Sequence, residues 1–183
     1  LTYHLLALLN SSVSLSILST LSPTVNFEAG QIGAIPVISP EAYIQDDVEE
    51  AIKISKADWD SFEVSWNFKR NELVKQADGS VRDSVEKLSA YWASKVEKLR
   101  SIEERLNNVF AESYGVIDEV DTKVKVDDIS LKRRFLIDTS HQLIARSSLI
   151  AELISFSVGT MMGRYSLDKD GLVYARSGNE SFK

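Results

Sequence analysis

"VRDSVEKLSAYWASKVEKLRSIEERLNNVFAESY", residues 81–114, is the stretch that decides the fold of this 183-residue chain. Its apolar residues recur only at steps of three or four, a period near 3.6, which predicts one long amphipathic helix. Six basic and six acidic residues occupy the other faces, so the helix surface is neutral and favours a partner helix within the fold over a charged ligand. Asp78-Gly79 predicts the turn before this helix, and Gly115 predicts its end. The periodic apolar positions are Val81, Val85, Leu88, Trp92, Val96, Leu99, Ile102, Leu106 and Val109.

Downstream of this helix, residues 116–128 are polar and form a connector. Asp127 or Asp128 then predicts the cap of a last long helix, from residue 129 to about 163, whose second half is apolar on several faces and therefore buried. Beyond it the chain becomes polar, and Asp170-Gly171 is typical of a turn. We expect residues 165–183 to be a loop or a frayed tail.

Upstream of it, Ser39-Pro40 is a typical helix start, followed by an acidic segment to about residue 54. A second start follows at residues 55–58. Trp59, Phe62 and Trp66 then recur at helical spacing, which predicts an aromatic face that packs in the core; stacking of nucleic-acid bases is the alternative.

The stretch "NFEAGQIGAIPV", residues 26–37, predicts a junction. Gly30 and Gly33 allow backbone angles that a side chain disfavours, and Pro36 cannot donate a backbone hydrogen bond. Residues 35–38 would form a single short strand. Residues 3–21 remain ambiguous after about residue 10, because their apolar pattern fits both a helix and a strand.

Together these patterns predict a mainly α fold, a helical hairpin or bundle with long amphipathic helices and at most a short strand near residues 35–38. The chain has no cysteine, which excludes disulfides and favours an intracellular location. Residues 5–22 comprise ten apolar and eight polar residues, too few apolar positions for a membrane span. The sequence starts at Leu1 and its only methionines are Met161 and Met162, so we expect an excerpt or a processed product.

Charge is unevenly distributed along the chain. Residues 39–64 carry eight acids and two bases, a net charge of −6, whereas residues 129–183 carry eight bases and five acids, a net charge of +3. A contact with nucleic acid would therefore be local. The candidate phosphate contacts are the basic pair Lys69 and Arg70 and the basic triplet Lys132, Arg133 and Arg134, the latter at a predicted helix start where phosphate also meets free amides.

We predict no catalytic residue and no metal site. The two histidines, His4 and His141, are far apart in the sequence, and no glycine-rich phosphate loop occurs. Residues 168–171 imitate part of a calcium loop, but the position of its final glutamate holds Ser177. The carboxylates of residues 41–50 are typical of a solvated helix face near its positive end.

Three stretches of this sequence resemble a known family. "LLALLNSSVSLSILSTLSPTVNFEAGQIGAIPV" (5–37) resembles the end of the target-recognition region of adenine-specific DNA methyltransferases of the type IIG and type I restriction class. "ISKADWDSFEVSWNFKR" (54–70) and "FSVGTMMGRYSLDKDGLVYA" (156–175) are similar to the BREX-type, PglX-like phage-defence methyltransferases. The resemblance is spread over residues 5–175.

The resemblance implies a parent enzyme that transfers a methyl group from S-adenosylmethionine to the exocyclic amine of adenine in DNA. That chemistry needs a glycine-bearing cofactor loop and an Asn-Pro-Pro-Tyr-type motif, and neither is present here. The chain is therefore expected to be a non-catalytic recognition and spacer segment, downstream of the catalytic domain, that needs no cofactor of its own.

The expected organisation is the end of a target-recognition region at 1–38, a helical spacer at 39–164 and a tail at 165–183. Its partners would be DNA and the catalytic domain of the same enzyme, with a homodimer through exposed helical faces, no membrane contact, and a cytoplasmic location. A helical protein-interaction scaffold that does not touch DNA is the alternative, and an independent enzyme is a third.

Overall fold

The computed structural model describes residues 2–22, 26–77, 79–136 and 142–174, with the backbone alone at 142–145. These residues form α-helices and no strand, so the mainly α prediction is confirmed. The helices are α1 (Thr2–Leu9), α2 (Ser12–Leu21), α3 (Ala29–Gly33), α4 (Gln45–Asp60), α5 (Glu72–Lys75), α6 (Val81–Tyr114) and α7 (Gln142–Met161), with short 3₁₀ helices at Val126–Asp128 and Lys132–Leu136.

The chain divides into two compact units. The first unit comprises residues 1–54 and 97–129, and the second comprises residues 55–96 and 130–183. Two helices, α4 and α6, therefore contribute residues to both units.

The first unit is built around the carboxyl half of α6. A buried apolar cluster joins that half of α6 to α1, α2 and the start of α4. Polar contacts fix the corner between α1 and α2: the Ser14 hydroxyl donates to the Leu8 carbonyl at 2.6 Å, and the Ser12 amide donates to Asn107 Oδ1 at 2.9 Å. The cluster consists of Ala7, Leu8, Val13, Leu18, Ile35, Ile44, Val48, Ile102, Leu106, Phe110 and Ala111.

Two apolar clusters lie in the described part of the second unit. One joins α5, the amino half of α6 and α7 through Leu73, Val85, Leu88, Trp92, Leu136 and Leu149. The other is aromatic: the ring centroid of Tyr165 lies 5.1 Å from that of Phe156 and 5.6 Å from that of Phe68.

The two ends of α6 follow the sequence prediction. The Ser80 amide and hydroxyl donate to Asp83 Oδ2, and the Asp83 amide donates to Ser80 Oγ, so the two side chains cap the first turn. At the other end Gly115 has φ +69°, and the Val116 amide donates to the Ala111 carbonyl at 2.9 Å. Both predicted boundaries are confirmed.

The predicted start of α4 was wrong. The helix begins at Gln45 instead of Ser39, because residues 39–44 are held by tertiary contacts: Ile44 is buried, and Arg105 donates to the Tyr43 carbonyl at 3.1 Å. The predicted break at residue 55 is also absent, and α4 continues to Asp60, supported in its last turn by the ion pair of Lys56 with Asp60.

The aromatic face predicted for residues 59–66 does not form a packed stripe. Since α4 ends at Asp60, Phe62 and Trp66 are not on the helix that carries Trp59. Trp59 is 48% exposed and Trp66 fully so, at 102%, while Phe62 is partly buried. The core expectation is therefore wrong for both tryptophans.

The glycine junction takes a different form from the one predicted. Gly30 and Gly33 lie in α3, neither has a positive φ, and a Cβ on either would meet no atom within 4 Å. Residues 35–38 are irregular instead of a strand. They are held by Tyr114, whose hydroxyl donates to the Pro36 carbonyl and accepts from the Ile38 amide at 3.3 Å.

The last long helix is shorter than predicted. Its α-helical part begins at Gln142, and the residues after Asp128 include a buried Ile129 and the 3₁₀ helix Lys132–Leu136. The predicted end near Gly163 is confirmed, with φ +77° at that glycine. His141 lies outside the described residues.

Among the described helices, none is long and apolar enough to cross a membrane alone. Taken together, α1 and α2, which meet at a bend of 63°, have the length and apolar composition of a membrane-spanning segment.

Candidate nucleic-acid interface

Of the predicted basic triplet, Arg133 faces the interior of the second unit. Its side chain is 4% exposed, and two of its nitrogens donate to the two carboxylate oxygens of Glu152 at 3.0 and 2.8 Å. Its Nε donates to Ser61 Oγ at 3.1 Å and lies 3.3 Å from Glu72 Oε2. These contacts occupy the guanidinium, and it is not available to a phosphate.

The amides at the start of the 3₁₀ helix are also occupied. The two carboxylate oxygens of Asp58 accept the backbone N–H groups of Lys132 and Arg133, each at 2.9 Å. Asp58 is buried, and its carboxylate accepts the two amides that were predicted to bind a phosphate. Nothing in the sequence pattern links residue 58 to residue 132.

The carboxyl of Glu72 completes this buried network. The indole Nε1–H of Trp92 donates to its Oε2 at 3.0 Å. Burial raises the pKa of Glu72, and this effect outweighs the lowering by Arg133 and by the indole hydrogen bond. The network of Asp58, Glu72, Arg133 and Glu152 is structural: the Arg133 guanidinium pairs with Glu72 and Glu152, and Asp58 accepts two backbone amides.

Lys132 faces outward, unlike its neighbour Arg133. Its Nζ lies 4.6 Å from the ring centroid of Trp59 and 4.9 Å from that of Phe62. The exposed ammonium therefore rests on aromatic faces and keeps its charge toward solvent. Arg134 is partly buried, with its guanidinium carbon 4.6 Å from the Phe135 ring centroid.

The pair at residues 69 and 70 is divided in the same way. Lys69 is exposed. Arg70 is partly buried, and its guanidinium lies 3.6 Å from the carboxylate of Asp170. Lys69 is thus the better phosphate contact of the two, because no carboxylate of the described residues forms an ion pair with its ammonium.

Lys69 lines a cleft on the second unit that we call the lysine cleft. Its volume is about 540 Å³. Three exposed lysines and a tyrosine stand at its wall, together with the carboxylates of Asp60 and Glu72. Sequence reasoning missed two of the lysines, because each is a single base in a mixed segment. The cleft is lined by Lys56, Ala57, Asp60, Ser61, Asn67, Lys69, Glu72, Lys75, Gln76, Tyr91 and Trp92.

A second cleft lies where the two distinctive sequence stretches meet, and we call it the tryptophan cleft. It has a volume of about 590 Å³, and its lining comes from residues 63–68 and 164–172. The fully exposed Trp66 stands at its wall. The fold has therefore brought together "ISKADWDSFEVSWNFKR" and "FSVGTMMGRYSLDKDGLVYA".

The described residues contain no group of three or more histidine, aspartate or glutamate side chains arranged to hold a metal ion. They also offer no glycine-rich loop for a cofactor. The glycines with positive φ, at 79, 115, 163 and 171, lie at helix boundaries and turns. The described residues therefore show no site for S-adenosylmethionine.

The two units carry opposite net charges. The sequence of the first unit holds 6 basic and 15 acidic residues, a net charge of −9. That of the second holds 15 basic and 12 acidic residues, a net charge of +3. Net charge therefore favours the second unit over the first for a candidate nucleic-acid interface.

Two curated proteins match this chain over nearly its whole length. The adenine-specific methyltransferase BrxX of Escherichia coli O9:H4 (strain HS) is 37% identical over 187 aligned residues, which cover 98% of this chain and 15% of BrxX. This chain is homologous to a segment of the adenine-specific methyltransferases. The adenine-specific methyltransferase PglX of Lacticaseibacillus casei (strain Zhang) is 34% identical over 176 residues, covering 93% of this chain and 14% of PglX.

The resemblance to BREX phage-defence methyltransferases is thus confirmed. The chain spans about a seventh of the length of these relatives. No family model matches it.

Proposed function

We propose that this chain is a non-catalytic DNA-contacting segment of an adenine-specific methyltransferase, and that its second unit makes the contact. The observation that carries the proposal is the division of charge, −9 in the first unit and +3 in the second. A duplex repels the first and attracts the second, and attraction to the phosphate backbone supplies most non-specific affinity.

The lysine cleft is the proposed site of the phosphate contact. Lys56, Lys69 and Lys75 are exposed at its wall, and each ammonium is a flexible point charge that suits a phosphate. Lys56 forms an ion pair with Asp60. Lys69 lies in the irregular segment after α4, and Lys75 lies in α5. Such contacts position a protein on DNA and carry no sequence information.

Lys132 on Trp59 is a second proposed contact. Lys132 is exposed, and its ammonium makes a cation–π contact with the Trp59 indole, which holds the charge close to the protein surface. Arg133 is left out of the proposed interface because it is buried and paired. Arg70 and Arg134 remain secondary contacts.

The names of the two relatives support a proposal for the wider role. We propose that the parent enzyme uses S-adenosylmethionine to methylate adenine in DNA, and that its catalytic domain lies outside these 183 residues. Within this segment, residues 1–38 would be the end of the target-recognition region, residues 39–164 a helical spacer and residues 165–183 a tail. The two relatives are bacterial, and DNA in such cells is met in the cytoplasm.

The test is binding of the purified chain to a 20-base-pair duplex, followed by fluorescence anisotropy between low and high salt. The proposal expects an affinity that falls steeply with salt and is equal for two duplexes of different sequence. Replacement of Lys56, Lys69 and Lys75 by glutamine should weaken binding to both duplexes equally. Absence of binding at low salt would refute the proposal.

A protein-interaction scaffold is the second candidate function, and the exposed face of α7 favours it. Ile150, Ile154, Val158 and Met161 fall at helical spacing and are all exposed, Ile154 by 60% and Met161 by 79%. No charged side chain interrupts this stripe. Exposed apolar stripes of this kind mark interfaces, including a homodimer contact.

The oligomeric state tests this second candidate. Sedimentation equilibrium over a hundredfold range of concentration should show self-association that Ile154→Asp abolishes. A monomer at every concentration would count against a homodimer.

A further inference from the structure

Trp66 is a large apolar side chain in an unusual position. It is fully exposed, at 102%, in the irregular segment that follows α4, and the neighbouring Val64 is 69% exposed. Tryptophan side chains are mostly buried in folded proteins, so an indole with both faces in solvent marks a surface that binds something.

The backbone around Trp66 is fixed by the segment that faces it. The Gly171 amide donates to the Lys69 carbonyl at 2.7 Å, and the Val173 amide donates to the Arg164 carbonyl at 2.9 Å. Tyr165 is buried beneath, packed on Phe68. The tryptophan cleft is therefore held by an aromatic base and by hydrogen bonds, and it exists before any ligand arrives.

The polar groups of this cleft are mostly acceptors. Glu63 and Asp170 bring carboxylates to the wall, whereas Arg164 brings one guanidinium. Glu63 Oε2 accepts from the hydroxyls of Tyr165 at 3.4 Å and Ser155 at 3.3 Å, while its Oε1 has no hydrogen-bond partner among the described residues. Asp170 is paired with Arg70, so Glu63 is the carboxylate of this wall that can accept a hydrogen bond from an amine.

The chemistry that fits is a flat aromatic ring that carries an amine. We propose that the tryptophan cleft binds one unpaired nucleobase with an exocyclic amine, stacked on Trp66, with its amine directed toward Glu63. This inference rests on the proposed DNA contact and deepens it: the lysines hold the phosphates, and the neighbouring cleft receives a base that has left the stack. The step is binding alone and involves no chemistry.

The test uses three duplexes of the same length: one fully paired, one with a single bulged adenine and one with a single bulged thymine. The purified chain should bind the adenine bulge about tenfold more tightly than the paired duplex, because stacking on an aromatic side chain strengthens binding by about this factor. The thymine bulge, which lacks an exocyclic amine, should bind more weakly than the adenine bulge.

Trp66→Leu should bring the adenine bulge to the affinity of the paired duplex. Because the indole is fully exposed, this variant should keep the thermal midpoint of the wild type. Tyr43→Leu is the matched control, since it removes another exposed aromatic ring, which lies in the first unit and outside the cleft, and it should leave the ratio between bulged and paired duplexes unchanged.

The outcomes separate the two proposals. Binding of the paired duplex with no gain from the bulges, or a gain that Trp66→Leu retains, would overturn the base-binding inference, leave the lysine contact standing and leave the cleft to a protein partner. Failure to bind any of the three duplexes would overturn both.

Discussion

At the scale of single residues, the triplet Lys132, Arg133 and Arg134 shows that the sequence pattern does not reveal which side chains face solvent. Three adjacent bases predicted one basic patch, but consecutive residues of a 3₁₀ helix point in different directions. Arg133 turns inward because Glu72, Glu152 and Ser61 are there to receive it, and these partners come from distant segments. Only the folded chain decides which of the three cations is available to a ligand.

Arg133→Met should destabilise the second unit by about 3 kcal/mol, because it leaves the partly buried carboxylates of Glu72 and Glu152 without their buried cation. Urea unfolding monitored by circular dichroism measures this. The matched control is Arg134→Met, at the adjacent and less buried position, which should cost under about 1 kcal/mol. Equal losses for the two variants would contradict the assignment of Arg133 as the buried member.

Glu103 gives a prediction for pH. Burial raises the pKa of this α6 carboxyl to about 7. Because the folded-state pKa lies above that of the unfolded chain, the folded state holds the proton more tightly, and stability is lost as pH rises from about 4.5 to about 7.

Replacing that carboxyl should remove the loss. Glu103→Gln should be more stable than the wild type by about 1 kcal/mol at pH 8 and equal to it at pH 4.5, since part of the side chain keeps contact with solvent. Thermal unfolding at the two pH values measures the difference. A variant with the same pH dependence as the wild type would show that Glu103 is not the group responsible.

At the scale of elements, the long helix was predictable and several shorter ones were not. For α6, periodicity, caps and the glycine stop all agree, so local and tertiary preferences coincide. The start of α4 was missed because Ser39-Pro40 is a good local cap that tertiary contacts at residues 43 and 44 override. Residues 35–38 failed as a strand because one tyrosine side chain supplies the hydrogen bonds that a partner strand would have made.

The glycines provide a paired test of this reading. Gly115→Ala should destabilise the chain by about 1 kcal/mol, because φ +69° is unfavourable for any residue with a Cβ, although no atom stands in the way. Gly33→Ala should be neutral or stabilising, since this glycine has no positive φ and a Cβ there meets no neighbour. Chemical denaturation of both variants decides. A greater loss at Gly33 would contradict the helical assignment of α3.

At the scale of the whole molecule, the folded chain sorts charge more sharply than the linear sequence does. Along the sequence, the net charge is −6 for residues 39–64 and +3 for residues 129–183. In the folded chain, residues 97–129 belong to the acidic first unit and residues 55–96 to the basic second unit. Of the residues in the proposed interface, the sequence pattern predicted Lys69 and Lys132 and did not indicate Lys56 and Lys75, whose neighbours in space come from separate segments. It also took Trp66 for core, since spacing alone does not report where a helix ends.

The central claim, that DNA contacts the second unit through the lysine cleft, is tested most directly by comparing salt slopes. The slope of log affinity against log salt should become shallower by about 2 to 3 when Lys56, Lys69 and Lys75 are replaced by glutamine, since each lost phosphate contact removes about 0.9. The matched control replaces three exposed lysines of the first unit, Lys53, Lys123 and Lys125, and should leave the slope unchanged. Equal slopes for the two triple variants would contradict the account.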